Sequence, residues 1–106
     1  MNAEQLSTWL TAISSPQRMR ILATIAEAPL HVSEIARRMG MSRALLYMHL
    51  AKLEEAGFVT GHHELTEDGK ALKLFTAAPF TMTLDLAALV AAVAASPHET
   101  PKEGTV

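Results

Sequence analysis

The sequence predicts a mainly α-helical domain of about five helices carrying one small two-stranded β-hairpin. Three observations predict it. Apolar residues recur at helical spacing over most of the 106 residues. Between Val32 and Val59, two short helices are separated by a tight glycine turn and followed by an extended run. Finally, Asp68-Gly69 lies between two short extended segments, which is the composition of a hairpin tip. With 49% hydrophobic but only 5% aromatic residues, the core must be filled by alanine, leucine and methionine, which suits helices.

Leu6, Trp9, Leu10 and Ile13 follow an i, i+3, i+4, i+7 pattern and place a first helix from about Ala3 to Ile13. Ser14-Ser15-Pro16 interrupts it: Ser15 can cap the next helix and Pro16 suits its first position. Met19, Leu22 and Ile25 give that second helix a buried face, and it stops before Pro29. A third helix runs from about Val32 to Met39, with Ile35, Ala36 and Met39 inward, and Gly40 ends it because the residue after a helix often needs a positive φ. Ser42 can accept a hydrogen bond from the free N–H groups of a fourth helix, about Ser42 to Ala56, whose Leu46, Leu50 and Leu53 share one face. Ala36, Gly40 and Ser42 have the spacing of a helix-turn-helix, so the exposed face of the fourth helix would be offered to the DNA major groove.

Phe58 to Leu65 reads as extended, and two continuations remain open. In one, Asp68-Gly69 is a hairpin tip with a return strand from Lys70 to about Thr76; in the other, a helix starts at Thr66. The hairpin is preferred, since Gly69 would break a helix in its first turns. Leu84 to Ala95 forms a last helix with Leu86, Leu89, Val90 and Val93 on one side, ended by Pro97 and Pro101. Residues 1–96 therefore read as a single domain with terminal dimerisation helices, and 97–106 as a flexible tail.

The absence of cysteine excludes disulfides, thiolate metal sites and a cysteine nucleophile, and fits a reducing cytoplasm. MNAEQLSTWL lacks the basic and apolar regions of a signal peptide, and the longest apolar run, Leu86 to Ala95, is too short for a bilayer. The expectation is a cytoplasmic, membrane-free protein. No nucleophile–base pair, phosphate-binding glycine loop or complete metal triad is visible, so an enzyme is not expected.

The net charge of −2 argues at first against a nucleic-acid partner. Its distribution reverses that: eight of the nine Lys and Arg residues lie between Arg18 and Lys73. From Ile35 to Leu53 there are four basic residues (Arg37, Arg38, Arg43, Lys52) and no acidic one. Phosphate contact needs a local basic face more than a positive sum.

Three segments carry a family resemblance: Ser15-Pro16-Gln17-Arg18-Met19-Arg20-Ile21-Leu22, then Ser33-Glu34-Ile35-Ala36, then His49-Leu50-Ala51-Lys52-Leu53-Glu54-Glu55-Ala56-Gly57-Phe58-Val59. The chain resembles the ArsR/SmtB-type winged helix-turn-helix regulators of prokaryotes over about Ser15 to Leu84. Glu67-Asp68-Gly69-Lys70-Ala71 is similar to the wing of a related, partly archaeal branch. The resemblance implies a homodimer that binds an inverted-repeat operator in double-stranded DNA, often as a repressor, and that responds to a metal ion or another effector. Tyr47 and Met48 depart from the serine and basic or polar residue common in relatives, which points to more apolar base readout, for example against thymine methyl groups.

The expected DNA contacts are Ser42 as cap, with Arg43, Ala44, Tyr47, Met48, His49 and Lys52 on the fourth helix. Tyrosine and methionine together would seldom stay on a merely solvated face. His49 also matches a family histidine with a structural role, so both readings stand. Arg38, at the end of the third helix, favours the helix C-terminus and can also reach phosphate. Lys70 and Lys73 on the wing can touch flanking phosphates, or simply guard a strand edge against aggregation.

The resemblance also implies a metal site on the last helix. Asp85 and His98 match two of its four positions, whereas Ala87 and Pro101 stand at the other two. Half a site supports no firm ligand set; a weak nickel or zinc site completed by the other subunit is the alternative. His62 and His63 point to opposite faces of a strand, which leaves His62 with Glu64 as a minor candidate pair. Leu6, Trp9 and Leu10, with Leu86, Leu89, Val90 and Val93, are expected at a dimer seam, since two terminal amphipathic helices have little domain left to cover. The expected function is sequence-specific transcriptional regulation by a homodimer, with the effector sensed by this chain or by a separate protein. The alternative of another class is a winged-helix protein-interaction module.

Overall fold

The computed structural model describes residues 1–97; His98, Pro101 and the rest of the expected tail lie outside them. The chain runs α1 (Ala3–Ile13), α2 (Pro16–Ile25), β1 (Leu30–His31), α3 (Val32–Met39), α4 (Arg43–Glu55), β2 (Val59–Leu65), β3 (Ala71–Ala77) and α5 (Leu86–Ala95). Local chemistry sets the boundaries. Asn2 and Gln5 make a reciprocal capping box on α1, and Ser15 caps α2 with Pro16 in its first turn. Asp85 caps α5, where its Oδ1 accepts a hydrogen bond from the Ala88 amide at 2.7 Å. That cap starts the last helix at Leu86, two residues later than apolar spacing suggests.

Thr66–Gly69 turns back as a hairpin, as preferred over the helix. The Thr66 amide donates to the Lys70 carbonyl at 2.8 Å, and Gly69 supplies the required positive φ of 83°. The sheet, however, has three strands in the order β1-β3-β2, all antiparallel. β1 pairs Leu30 with Phe75 and His31 with Leu74. A two-residue strand is too short to show alternation, and its partner lies far along the chain, so the sequence predicts only two strands.

The core gathers Ile21 and Ile25 of α2, Ile35 and Ala36 of α3, Leu46, Leu50 and Leu53 of α4, and Phe58, Val59 and Phe75 of the sheet region. α2 keeps two of its three expected inner residues, Ile25 buried and Leu22 packed against the core, and differs at the third. Ile21 is fully buried, while Met19 is 53% exposed. At 100° per residue, Arg18, Ile21 and Ile25 fall on one side of the helix, with Met19 turned well away from it. Arg18 shares the inward side with Ile21 and Ile25, and its guanidinium is bonded to groups of α1 and α4.

Trp9 and Leu6, expected at a dimer seam, also make contacts within the single chain. The Trp9 ring lies 5.1 Å from Phe58 and 6.2 Å from Phe80, and Phe58 and Phe80 pack edge-to-face at 4.6 Å. This aromatic cluster packs within one chain, and Leu6 is buried where α1 meets α5. α5 lies along α1: Ala92 is buried there, and the Ala3 amide donates to Ser96 Oγ at 2.9 Å. Leu10 is half-buried in the same contact. Leu86, Leu89, Val90 and Val93 remain exposed.

Phe58 is 1% exposed and joins the sheet to the aromatic cluster. Phe58→Ala should cost about 3–5 kcal/mol, the usual range for removing a buried aromatic ring. Urea denaturation followed by the fluorescence of the nearby Trp9 measures it, and a loss below about 1 kcal/mol would contradict this role for the cluster.

Candidate nucleic-acid interface

The turn between α3 and α4 is fixed by backbone chemistry. Gly40 adopts φ 64°, ψ 34°, and the Met41 amide donates to the Ala36 carbonyl at 3.1 Å. Ala36 is buried, small enough for the two helices to approach. Ser42 Oγ then accepts from the Leu45 amide at 3.1 Å and starts α4. Ser42 thus has a demonstrable structural task at the head of the helix.

α4 buries Leu46, His49, Leu50 and Leu53. The opposite face carries Arg43, Ala44, Tyr47 and Met48, all exposed, and no acid precedes Glu54 on the helix. Leu45 is exposed as well and was not among the expected residues. The structure brings Arg43 and Tyr47 together on the side facing the hairpin, or wing. Lys52 is set apart: it lies across from Ser7, Thr8 and Thr11 of α1, beside Glu55.

His49 is not part of the exposed face. It is buried, and Arg18 Nη1 donates to its Nδ1 at 3.1 Å. Arg18 also donates from Nε to the Ala12 carbonyl at 2.6 Å and from Nη2 to the Thr11 carbonyl at 3.3 Å. The accepting role of Nδ1 requires the neutral ring protonated on Nε2. Burial, followed by the adjacent Arg18 charge, holds the imidazole below its ordinary pKa. Of the two readings open for His49, the geometry supports the structural one: it sets the rotation of α4.

Arg38 is likewise less available than the sequence suggests. Glu34, one residue before the acid-free stretch, accepts from Arg38 Nε at 2.7 Å and from Arg37 Nε at 2.9 Å. These bonds hold the Glu34 carboxyl at a pKa of about 2. Two of the four basic charges counted between Ile35 and Leu53 are therefore shared with one carboxylate. The i+3 and i+4 spacing from Glu34 was legible and marks the pairing.

On the wing, Lys70 Nζ lies 4.0 Å from Asp68 Oδ2, at a tip that also carries Glu67. Lys73 sits further in, opposite His63 in the ladder, with its Nζ 5.5 Å from the centre of the Phe75 ring. Gly61 permits this arrangement: a Cβ there would stand 2.8 Å from Phe75 Cε1 and 2.9 Å from Lys73 Cε. Its importance lies in a cross-strand approach that sequence spacing does not reveal. His62 and Glu64 share an exposed strand face, while Asp85 is engaged as a cap. Among the described residues no three His, Asp or Glu side chains cluster as metal ligands, and no helix is long and apolar enough to cross a membrane.

Residues 15–60 match a family model described as "Bacterial regulatory protein, arsR family". The chain is 34% identical over 74 residues to the uncharacterized HTH-type transcriptional regulator MJ0229 of Methanocaldococcus jannaschii, covering 70% of this chain and 77% of that protein. It is 32% identical over 59 residues to the HTH-type transcriptional regulator NmtR of Mycobacterium tuberculosis, covering 56% of this chain and 49% of that one. The fold is similar to the homodimeric winged helix-turn-helix DNA-binding domain of a possible ArsR-family transcriptional regulator from Mycobacterium bovis. There the TM-score is 0.63 at 24% identity, over 72% of this chain and 66% of that one.

The buried neutral His49 gives stability a definite pH dependence. Its folded pKa is depressed, so its contribution is present above the ordinary imidazole value of about 6.5 and is lost as pH falls below it. The urea midpoint should fall between pH 7 and pH 5. The fall should be smaller in His49→Asn, whose amide oxygen can still accept from Arg18. An equal fall in both proteins would exclude His49 as the source.

Proposed function

The chain belongs to the ArsR family of bacterial regulatory proteins, and from that premise we propose that it regulates transcription as a homodimer bound to an inverted-repeat operator. One observation carries the DNA reading: α4 combines a fully packed inner face with an outer face of Arg43, Ala44, Tyr47 and Met48. In this docking α4 of each protomer enters the major groove of one half-site, with half-site centres about 34–36 Å apart or a multiple of that spacing. Arg43 reaches a guanine edge or a phosphate. Ala44, Tyr47 and Met48 offer apolar contact to thymine methyl groups. Lys73 approaches the flanking backbone, while Lys70, Lys52 and Arg38 contribute less, given their positions and nearby acids. An effector, whether a small molecule or a separate sensing protein, would act by changing the separation or tilt of the two α4 helices.

The dimer reading rests on α5. Leu86, Leu89, Val90 and Val93 form an apolar surface that the described residues leave bare, on a helix with no charged residue from Leu86 to Ala95. A second copy packed about a two-fold axis would cover it, and the homodimeric relative from Mycobacterium bovis supports that occupant. Leu6 and Trp9 then support the seam from within each protomer. Nickel or zinc has no part in this reading. Asp85 serves α5 as a cap, Ala87 offers no ligand, and His62 with Glu64 supplies only two donors on an open strand.

Two measurements test the proposal. Selection of bound fragments from the source genome, followed by anisotropy titration, should yield a preferred duplex whose affinity falls steeply with salt. Arg43→Ala should weaken that binding tenfold or more; full affinity in the variant would remove α4 from the interface. Failure to retain any duplex, with capture of a protein instead, would favour the interaction-module reading. Light scattering should show a dimer at micromolar concentration and a monomer for Val90→Glu. Val90 is 62% exposed in the single chain, so a glutamate there burdens only the dimer. A monomeric wild type would overturn the dimer.

A further inference from the structure

A cleft of about 270 Å³ lies between the wing, the start of α3 and the first turns of α4. Four elements each send one basic side chain to it: His31 at the end of β1, Arg43 from α4, His63 from β2 and Lys73 from β3. The hydroxyls of Ser33 and Tyr47 add two further donors, and none of the lining residues is acidic. α3 begins at this cleft without a side-chain cap, because its N-cap residue His31 makes no such bond. The free N–H groups of a first turn and the positive end of the helix dipole favour an anion. Independently, His31 Nε2 is buried with no hydrogen-bond partner among the described residues. His31 as a whole is half-buried, so its side chain lines the cleft while that nitrogen is turned away from solvent.

The donor set selects the ligand class. A cation is disfavoured by Arg43 and Lys73 and by the absence of any carboxylate. An apolar ligand would bury charges without partners. A tetrahedral oxyanion accepts from guanidinium, ammonium, imidazole, hydroxyl and amide together. The cleft opens beside the α4 face and includes two of its residues, Arg43 and Tyr47.

We propose that this cleft is a phosphate seat, holding one phosphoryl group between the start of α3, Arg43 and the His63–Lys73 pair of the wing. The inference rests on the DNA-binding reading for the source of that group: a backbone phosphodiester of the operator, clamped where wing and α4 meet. His31, Ser33 and His63 are thereby DNA-contacting residues in addition to those of the α4 face. The seat fixes register along the backbone and carries no base preference.

The test replaces Ser33 with aspartate. An acid in the first turn of a helix favours folding, so Ser33→Asp should keep the thermal midpoint of the wild type while placing a carboxylate in the seat. Operator affinity should fall tenfold or more, equally for preferred and unrelated duplexes. Lys73→Gln should lower the slope of log K against log salt by about 0.9. Operators with a single neutral methylphosphonate linkage, moved along the backbone, distinguish a DNA phosphate from a free ion. One position should weaken wild-type binding and have little added effect in Ser33→Asp. Wild-type affinity within twofold in Ser33→Asp, or additive losses at every linkage, would overturn the seat while leaving α4 docking intact. Inorganic phosphate provides an arm without DNA. It should shift the amide resonances of Ser33 and Glu34 in wild type and not in Ser33→Asp. If no duplex binds, the operator reading fails and this titration alone decides the seat; absence of a shift then overturns it.

Discussion

The guanidinium of Arg18 joins three helices, and the placement of the recognition helix depends on it. It donates to the Thr11 and Ala12 carbonyls at the end of α1 and to His49 Nδ1 on α4. The α1 carbonyls belong to a helix terminus that has no further turn to satisfy them. Arg18 therefore satisfies them while its own charge is distributed over three acceptors. The constraint is reciprocal: His49 must stay neutral to accept, and its burial keeps it so. Once His49 is turned inward, helical geometry turns Ala44, Tyr47, Met48 and Ala51 outward. The polar contact thus reinforces the rotation that Leu46, Leu50 and Leu53 give the helix.

The electrostatics of the outer surface are narrower than a residue count suggests. Glu34 engages Arg37 and Arg38, and Asp68 lies close to Lys70. Among the described residues, the basic groups that remain apart from acids at the α3–α4–wing junction, Arg43 and Lys73, come from distant parts of the chain. They meet because β3 runs between β1 and β2 and brings its residue 73 level with the heads of α3 and α4. Positive potential is thereby focused at one junction of a chain whose net charge is −2.

Five helices, the glycine turn, the caps Ser15 and Ser42, and the hairpin were legible in the sequence because each is a local rule. The exposed face of α4 was legible for the same reason: Leu46, Leu50 and Leu53 fix the inward direction. What escaped the sequence was long-range. β1 exists only through its pairing with β3. The inward side of α2 includes Arg18, a charged residue that apolar patterning leaves out. The packing of Trp9 on Phe58 and Phe80 brings together rings from distant parts of the chain. His31 and His63 come to one cleft only through the sheet. The Glu34 pairing was local, and it was hidden only by where the basic stretch was taken to begin.

The hydrogen bond from the Ala3 amide to Ser96 Oγ has a dynamic consequence. Ser96 also donates to the Ala92 carbonyl, so the first turn of α1 and the last turn of α5 are latched together. Terminal helices ordinarily fray one at a time, at little free-energy cost. Here the loosening of one end removes a partner from the other. The two ends are therefore coupled, so fraying of one makes fraying of the other easier. Anything that covers α5 then also shields the first turn of α1 from fraying, without touching most of that helix.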